Sequence, residues 1–129
     1  MNQPAPSSLR QYNVGAQSTN VFGRVLCTAR QHHFVVDGPV QNGCPGEELT
    51  PPEIFLTGVA ACGVELVQVI AKEQNVSIGH VSVSVYGELD RSRQARTDVT
   101  VLNEVRLAFE VGGTDGATAA QLVDAFKRR

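Results

Sequence analysis

The sequence predicts an α+β domain with the element order β-β-α-β-β-α. Apolar and polar residues alternate before residue 38 and again after residue 80, as they do in antiparallel strands. A long apolar segment with a helix-start signal lies between these two regions, and a shorter segment with helical spacing ends the chain. Strands and helices that follow one another in separate blocks are typical of the α+β class.

The composition indicates a soluble protein of 129 residues with a net charge of −2, 42% hydrophobic residues and no Trp. Nucleic-acid binders usually carry a concentrated basic surface and aromatic stacking platforms, so we expect no nucleic-acid partner. Residues 1–20 are polar, lack the apolar core of a secretory signal, and predict a tail before a single domain at 21–129. Three cysteines without a CxxC pair favour a reducing compartment, so we expect a cytoplasmic protein.

The first half of the predicted domain holds two paired strands and a long helix. The first strand starts at Val21, and the second is His32–Asp37. After a loop rich in Gly and Pro, Thr50 is the predicted N-cap of a helix from about Pro51 to Gln74. The first half of this helix is apolar on all sides, which a small monomer has little room to bury, so a dimer is expected.

The longest uninterrupted apolar run of that helix, Ile54–Val64, is shorter than the roughly 20 residues that span a bilayer, so no membrane partner is expected. Beyond the helix, period-two alternation predicts strands over Val81–Tyr86 and Val99–Val111. A helix is predicted over 114–129. Arginines 91, 93 and 96 in the connection between the strands are typical of a solvated hairpin end.

Cys62 is the leading candidate for chemistry. It lies in the predicted long helix with Gly58 one turn before it and Gly63 directly after it. Each glycine costs a helix interior about 1 kcal/mol relative to Ala, so close approach of another chain or of a small substrate is one reason for their presence. The alternative is that Cys62 is a small apolar residue packed under a crossing helix.

A reactive thiol needs a nearby cation to lower its pKa. Arg24 and Arg30 on the first predicted strand are the candidates, with a solvated strand face as the alternative. Glu65, one turn beyond Cys62, would act in the opposite direction. Glu53 is explained by the capping box. It is nine residues before Cys62, so it would reach the thiol only across a dimer interface or around a kink.

The other cysteines and the histidines offer weaker candidates. Cys44 lies in the loop, close enough along the chain to fold back beside Cys62, although loop cysteines are usually spectators. Cys27 is expected in the core. His32 and His33 should face opposite sides of their strand, with Asp37 able to orient one of them. A metal site would need a third ligand at a defined spacing, and the sequence shows none.

Four segments occur in a recognisable order: His33–Pro39, a glycine-rich loop, Pro52–Leu56 and Ala60–Cys62. This set resembles the OsmC/Ohr family of osmotically inducible protein C and organic hydroperoxide resistance proteins, and is closer to its divergent OsmC-like branch. The resemblance covers about residues 20–129. It implies antiparallel sheets wrapped around long central helices in an intertwined homodimer, with active sites at the dimer interface and no metal or flavin cofactor.

The resemblance also implies a reaction. By position, Cys62 matches the peroxidatic cysteine, whose thiolate attacks a small organic hydroperoxide and becomes a sulfenic acid, and an external dithiol reduces the disulfide formed next. The family's resolving cysteine follows its last helix, but no cysteine follows Cys62 here, which leaves Cys44, Cys27 or an external thiol. The family's arginine-holding acid lies ten residues before the cysteine, where this chain has Pro52, and Glu53 is the next residue.

The sequence therefore leads to an antioxidant, stress-related peroxidase in which Cys62 is the nucleophile, served by Glu53 and by Arg24 or Arg30. The alternative is a non-enzymatic OsmC-like dimer that binds a small apolar ligand at its interface, with an inert Cys62. A structural stress protein without a ligand is the third possibility.

Overall fold

The structure is a computed structural model that describes residues 8–129, and it confirms the α+β class with antiparallel sheets. It contains one strand more than predicted, before the two expected ones. The elements are β1 (Val14–Ser18), β2 (Arg24–Ala29), β3 (His32–Asp37), α1 (Pro51–Glu73), β4 (Val81–Glu88), β5 (Glu104–Val111) and α2 (Gly116–Phe126). The chain divides into two compact units, the first ending at Pro51 and the second comprising Pro52–Arg129.

The first unit holds a three-stranded antiparallel sheet in the order β1-β2-β3. β1 lies inside the segment that was predicted as a tail. This segment forms a strand because its backbone pairs with β2, from Val14 opposite Ala29 to Ser18 opposite Val25. The rest of the predicted tail reaches into residues 1–7, which lie outside the described residues. The single domain at 21–129 stays a prediction.

β2 starts three residues later than predicted. Thr19 Oγ1 accepts a hydrogen bond from Val21 N at 3.1 Å, and Arg24 N donates to Val21 O at 3.0 Å, so Val21 belongs to a turn. Gly23 completes this turn with a φ of +81°, a backbone conformation that glycine adopts without steric cost. The predicted strand His32–Asp37 agrees with β3.

The second unit is built around the contact of α1 and α2 with the β4–β5 hairpin. Its core consists of Val67, Ile70, Ala71, Val81 and Leu122. α2 starts where Asp115 Oδ1 accepts a hydrogen bond from Thr118 N at 2.7 Å, an N-cap that holds the pKa of Asp115 below its usual value. The ordered helix is therefore shorter than the predicted segment 114–129.

The connection from 89 to 103 differs from the prediction, because Val99 and Val101 precede β5 instead of starting it. The Gln94 side-chain amide forms hydrogen bonds with both backbone groups of Val101. Its Oε1 accepts from Val101 N at 2.7 Å, and its Nε2 donates to Val101 O at 3.0 Å. Asn103 also donates through Nδ2 to Arg93 O at 2.8 Å. These bonds replace the ladder that the alternating valines predicted.

α1 is long and apolar enough to cross a membrane by length and composition, and most of that stretch is not buried within the chain. The prediction that no segment reaches this length was wrong, because it counted only the uninterrupted run before Glu65. A single helix of this kind is weak evidence for a membrane, since the core helix of a soluble assembly has the same composition.

Candidate active site

Cys62 lies on an exposed side of α1. Residues spaced alternately by four and three positions share one side of a helix, and here these residues are apolar. They are Phe55, Val59, Cys62, Leu66 and Val69, which we call the Cys62 stripe. The Phe55 side chain is 63% exposed, so this side of α1 has an uncovered apolar end.

The two glycines that flank Cys62 have different surroundings. A Cβ placed on Gly63 would lie 3.2 Å from Val83 Cγ2 and 3.3 Å from Phe109 Cε1, so this glycine allows α1 to approach the β4–β5 hairpin closely. A Cβ on Gly58 would meet nothing within 4 Å. Packing within the chain therefore explains Gly63, whereas Gly58 leaves open space one turn from the Cys62 thiol.

The two acidic residues of α1 nearest to Cys62 in the sequence differ in their position around the helix. Glu53 is exposed in the first turn of α1, which begins at Pro51 as predicted. Nine residues of regular helix turn through about 180°, so Glu53 and Cys62 project from opposite sides of α1. Glu65 is exposed one turn after Cys62, beside the stripe.

Arg24 forms a two-pronged ion pair with a carboxylate that sequence reasoning had assigned differently. Arg24 Nε donates to Asp37 Oδ1 at 2.8 Å and Nη2 donates to Asp37 Oδ2 at 2.9 Å. The two residues are cross-strand partners in β2 and β3, which places their side chains on one face of the sheet. The Arg24 guanidinium holds the pKa of Asp37 well below its usual value, although burial opposes this shift.

Asp37 is therefore not the orienting partner of a histidine. The expected alternation does place His32 and His33 on opposite faces of β3, because successive strand residues alternate. The partner of His33 is a hydroxyl, since its Nδ1 lies 3.2 Å from Thr28 Oγ1. The Arg24–Asp37 pair was not predicted from the sequence. Its only signal in the sequence is a charged residue near the start of one strand and another at the end of the next strand.

Arg30 lies at the other end of β2, in the turn to β3, with a φ of +55°. It was predicted on the strand itself, but the hairpin closes at the Ala29–His32 pair. Six residues of strand separate Arg24 from Arg30 by about 20 Å, so the two arginines of one chain cannot serve the same thiol.

The three cysteines are free thiols. The Cys44 sulfur is half-buried against Gly23 and Gly38, where a side chain on either glycine would collide with it. Cys27 is half-buried in β2 opposite Phe34, so it is not the core residue that the sequence predicted. Cys44 and Arg24 belong to the first unit, and Cys62 and Glu53 belong to the second.

The arginines between β4 and β5 form local ion pairs. Arg93 contacts Glu88 at 2.8 Å and Asp90 at 2.9 Å, and Arg96 pairs with Asp98. These contacts agree with the predicted solvated hairpin end. Within residues 8–129, no group of three or more His, Cys, Asp or Glu side chains is arranged to hold a metal ion.

The chain belongs to the OsmC-like protein family, because the model of that family matches residues 44–129. This match includes α1 with Cys62 and all of the second unit, and it begins at Cys44. The comparison with curated protein sequences returns no match.

Solved structures share the fold at low sequence identity. An OsmC-like protein from Mycoplasma pneumoniae is 19% identical with a TM-score of 0.77, covering 93% of this chain and 82% of its own. An organic hydroperoxide resistance protein from Elizabethkingia anophelis is 17% identical with a TM-score of 0.75, covering 95% and 85%. The organic hydroperoxide resistance protein OsmC from Legionella pneumophila is 23% identical with a TM-score of 0.72, covering 95% and 85%.

Proposed function

We propose that this protein is a thiol-dependent peroxidase that reduces organic hydroperoxides in the defence against oxidative stress. The observation that carries the proposal is the position of Cys62, an exposed thiol on an apolar helix face with open space at Gly58. Membership of the OsmC-like family supports it, as do the names of two structural neighbours. A cytoplasmic location is part of the proposal, because three free thiols suit a reducing compartment.

The apolar stripe around Cys62 favours organic peroxides over hydrogen peroxide. The transfer of an alkyl or aryl group from water to a contact with Phe55, Val59 and Leu66 lowers the free energy of binding, while its peroxide group approaches the thiol. Hydrogen peroxide has no such group and gains nothing from the stripe. The preference is therefore a difference in binding to apolar side chains.

The first chemical step transfers one oxygen atom. The Cys62 thiolate attacks the outer peroxide oxygen, the S–O bond forms as the O–O bond breaks, and the alkoxide takes a proton to leave as an alcohol. The sulfur is oxidised to a sulfenic acid and the peroxide is reduced. Arg24 or Arg30 of either protomer would stabilise the thiolate, and Glu53 would orient that arginine.

The second step needs a thiol, and an external dithiol is proposed to supply it. The sulfenic acid condenses with one of its thiols to a mixed disulfide and water, and the second thiol then releases Cys62 as the dithiol is oxidised. Cys44 is the alternative resolving residue. Its sulfur fills a notch between Gly23 and Gly38 and would have to leave that notch to form a disulfide, which favours the external thiol.

A homodimer is proposed to enclose the Cys62 stripe, with the open space at Gly58 left as the peroxide-binding pocket at the interface. The alternating four-and-three spacing of its apolar residues is the pattern of a helix that packs lengthwise against another helix. Exposed Phe55 at one end would lose water contact in such a pair. Phe55→Asp should give monomers in sedimentation, whereas Leu89→Asp, which alters an exposed loop residue, should leave the dimer intact. A wild-type chain that sediments as a monomer, or only with detergent, would contradict the dimer.

The activity is tested by following the loss of cumene hydroperoxide and of hydrogen peroxide with a dithiol present. The wild-type protein should consume the organic peroxide faster, and Cys62→Ser should consume neither. Cys27→Ser is the matched control and should keep the wild-type rate. Equal peroxide survival with wild-type protein and Cys62→Ser would favour the alternative, an OsmC-like dimer that binds a small apolar ligand with an inert thiol.

A further inference from the structure

β5 forms one edge of the two-stranded sheet in the second unit. One side of β5 pairs with β4 in an unbroken antiparallel register. Among residues 8–129, no strand pairs with its other side. An edge strand presents a row of backbone N–H and C=O groups with which a further strand can pair. The outer side of β5 therefore has the backbone chemistry of a docking surface.

The hydrogen bonds at the end of the hairpin show which backbone groups of β5 point outward. Gly112 N donates to His80 O at 2.8 Å, directly beyond the Val81–Val111 pair. In an antiparallel pair, residues that bond to the neighbouring strand alternate with residues that do not. The backbone groups that point away from β4 therefore belong to every second residue of β5, namely Val111, Phe109, Leu107 and Val105.

The side chains of three of these residues border an apolar groove. The groove has a volume of about 400 Å³ and lies between β5 and α2. Its strand side is half-buried and its helix side is lined mainly by small apolar residues. The lining residues include Leu107, Phe109, Val111, Ala119, Ala120 and Val123. A strand that pairs with the outer edge of β5 would thus extend an apolar layer if its own side chains on this face were apolar.

The opposite face of β5 carries charges of both signs. Arg106 and Glu110 are exposed on this face, with exposed Ala108 between them. A second copy aligned antiparallel about Ala108 would place Arg106 opposite the partner's Glu110, and two-fold symmetry would repeat the pair at the other end. On the apolar face, Leu107 would lie opposite the partner's Phe109. The outward backbone groups of one copy would then meet those of the other.

Other registers with matching backbone groups lack this charge complementarity. Of the four centred on residues 106 to 109, the first places Arg106 opposite the partner's Arg106. The second places Glu104 opposite the partner's Glu110, and the last leaves Arg106 opposite a glycine. Like charges directly opposite each other destabilise a strand pair, whereas opposite charges stabilise it. The register centred on Ala108 also places a small side chain where the two backbones approach most closely.

We propose that the outer edge of β5 is a docking surface for β5 of a second copy, antiparallel and centred on Ala108. The contact joins two β4–β5 hairpins into one four-stranded sheet. It is independent of the proposed peroxidase activity and does not use the exposed side of α1 that carries Cys62. One strand from each copy is a small interface, and small interfaces are typical of transient association. The pairing therefore appears only in concentrated protein.

The test uses Phe55→Asp, which is expected to be a monomer when dilute. Sedimentation is compared at about 10 μM and about 500 μM, a range that detects weak association. Phe55→Asp should form dimers in the concentrated sample. In this background, Arg106→Glu or Glu110→Arg alone should weaken the association about tenfold or more, because like charges then meet at both ends. Arg96→Glu, the same charge change in the exposed connection, is the control and should leave it unchanged.

The double variant Arg106→Glu/Glu110→Arg restores opposite charges across the interface. Its association should return to within about threefold of the background protein, because both ion pairs re-form with their signs exchanged. A double variant as weak as the single variants, or equal association of all variants, would overturn the proposal. Phe55→Asp that stays a monomer in the concentrated sample would overturn it as well.

Amide hydrogen exchange identifies the surface that pairs. The N–H groups of Leu107 and Phe109 should become protected as the protein concentration rises, whereas those of Arg106 and Ala108 should be protected throughout by their bonds to β4. Protection of Leu107 and Phe109 already in dilute protein would mean that another part of the chain covers the edge, and would overturn the proposal. If Phe55→Asp does not fold, both measurements are made on the wild-type protein, whose dimers should associate further when concentrated. A wild-type protein without peroxidase activity would remove the proposed function and leave this test unaffected.

Discussion

Leu56 of α1 occupies the space that a side chain at Gly87 of β4 would need. A Cβ built on Gly87 would lie 2.6 Å from Leu56 Cδ1. With the close approach at Gly63, this places α1 against the β4–β5 hairpin at two points. Cys62, one residue before Gly63, is turned about 100° away around the helix. The packing that buries one side of α1 thereby leaves the thiol on another.

The two glycines beside Cys62 should respond differently to alanine. Both substitutions gain helix propensity, about 1 kcal/mol each. Gly63→Ala also pushes a Cβ against Val83 and Phe109, and overpacking of this kind costs about 1–3 kcal/mol. Gly58→Ala should therefore be the more stable variant by about that amount in urea unfolding of the two proteins. Equal stabilities would show that the Gly63 contact is not tight.

Leu122 of α2 should be essential for the core of the second unit. It is 1% exposed and packs in the cluster with Val67 and Ile70. Leu122→Ala should lower the free energy of unfolding by about 2–5 kcal/mol, because the cavity adds to the lost burial. Leu89→Ala, at an exposed position, should change it by less than about 0.5 kcal/mol. Similar losses in the two variants would contradict the described core.

The stability of the protein should fall in acid partly through Asp37. The pKa of this carboxyl is held below its usual value by Arg24, so its contribution is present above about pH 4 and is lost as the pH falls further. The pKa of Asp90 is lowered to about 2, and the largest cause is its hydrogen bond with the Ser92 hydroxyl. Its contribution to stability is lost over an overlapping range of pH. Unfolding free energies of wild type and Asp37→Asn should differ at pH 7 and converge towards pH 2. Parallel curves would contradict this role of Asp37.

Gln94 should hold the connection between β4 and β5. Its amide makes hydrogen bonds to both the N–H and the C=O of Val101 and donates to Asp90 O at 2.9 Å. Gln94→Ala should increase amide hydrogen exchange across residues 89–103 and cost about 1–2 kcal/mol of stability. Gln121→Ala, at an exposed position of α2, is the control. Unchanged exchange in Gln94→Ala would mean that the loop is held by other contacts.

The sequence predicts the elements whose signals are local. α1 begins at Pro51 as expected, because the proline and the following apolar run define a helix without help from distant residues. β3 also agrees with its prediction. The prediction fails where pairing or side-chain contacts decide. The residues around Val14 carry no strand pattern, and Val14 belongs to a strand only because β2 lies beside it. Val99 lies outside β5 because the hydrogen bonds of Gln94 hold this part of the chain in the connection.

The candidate site shows the same division. The sequence places Cys62 in an apolar helix, but it does not predict that the thiol is exposed, because the predicted helix half is apolar on all sides and its contact with the β4–β5 hairpin decides which side is buried. Asp37, in contrast, was interpreted beside its sequence neighbours His32 and His33, because nothing local connects it to Arg24. That pair is created by the β2–β3 register, thirteen residues apart in the chain.

The most direct test of the central proposal is to identify the oxidised sulfur. The reduced protein is mixed with one equivalent of cumene hydroperoxide in the presence of a sulfenic-acid-trapping dione, and the adduct is located by mass spectrometry. We expect a single adduct on Cys62, formed as the peroxide disappears, with Cys27 and Cys44 unmodified. Loss of the peroxide with the adduct on another cysteine, or survival of the peroxide with Cys62 unmodified, would contradict the assignment of Cys62 as the peroxide-reducing thiol.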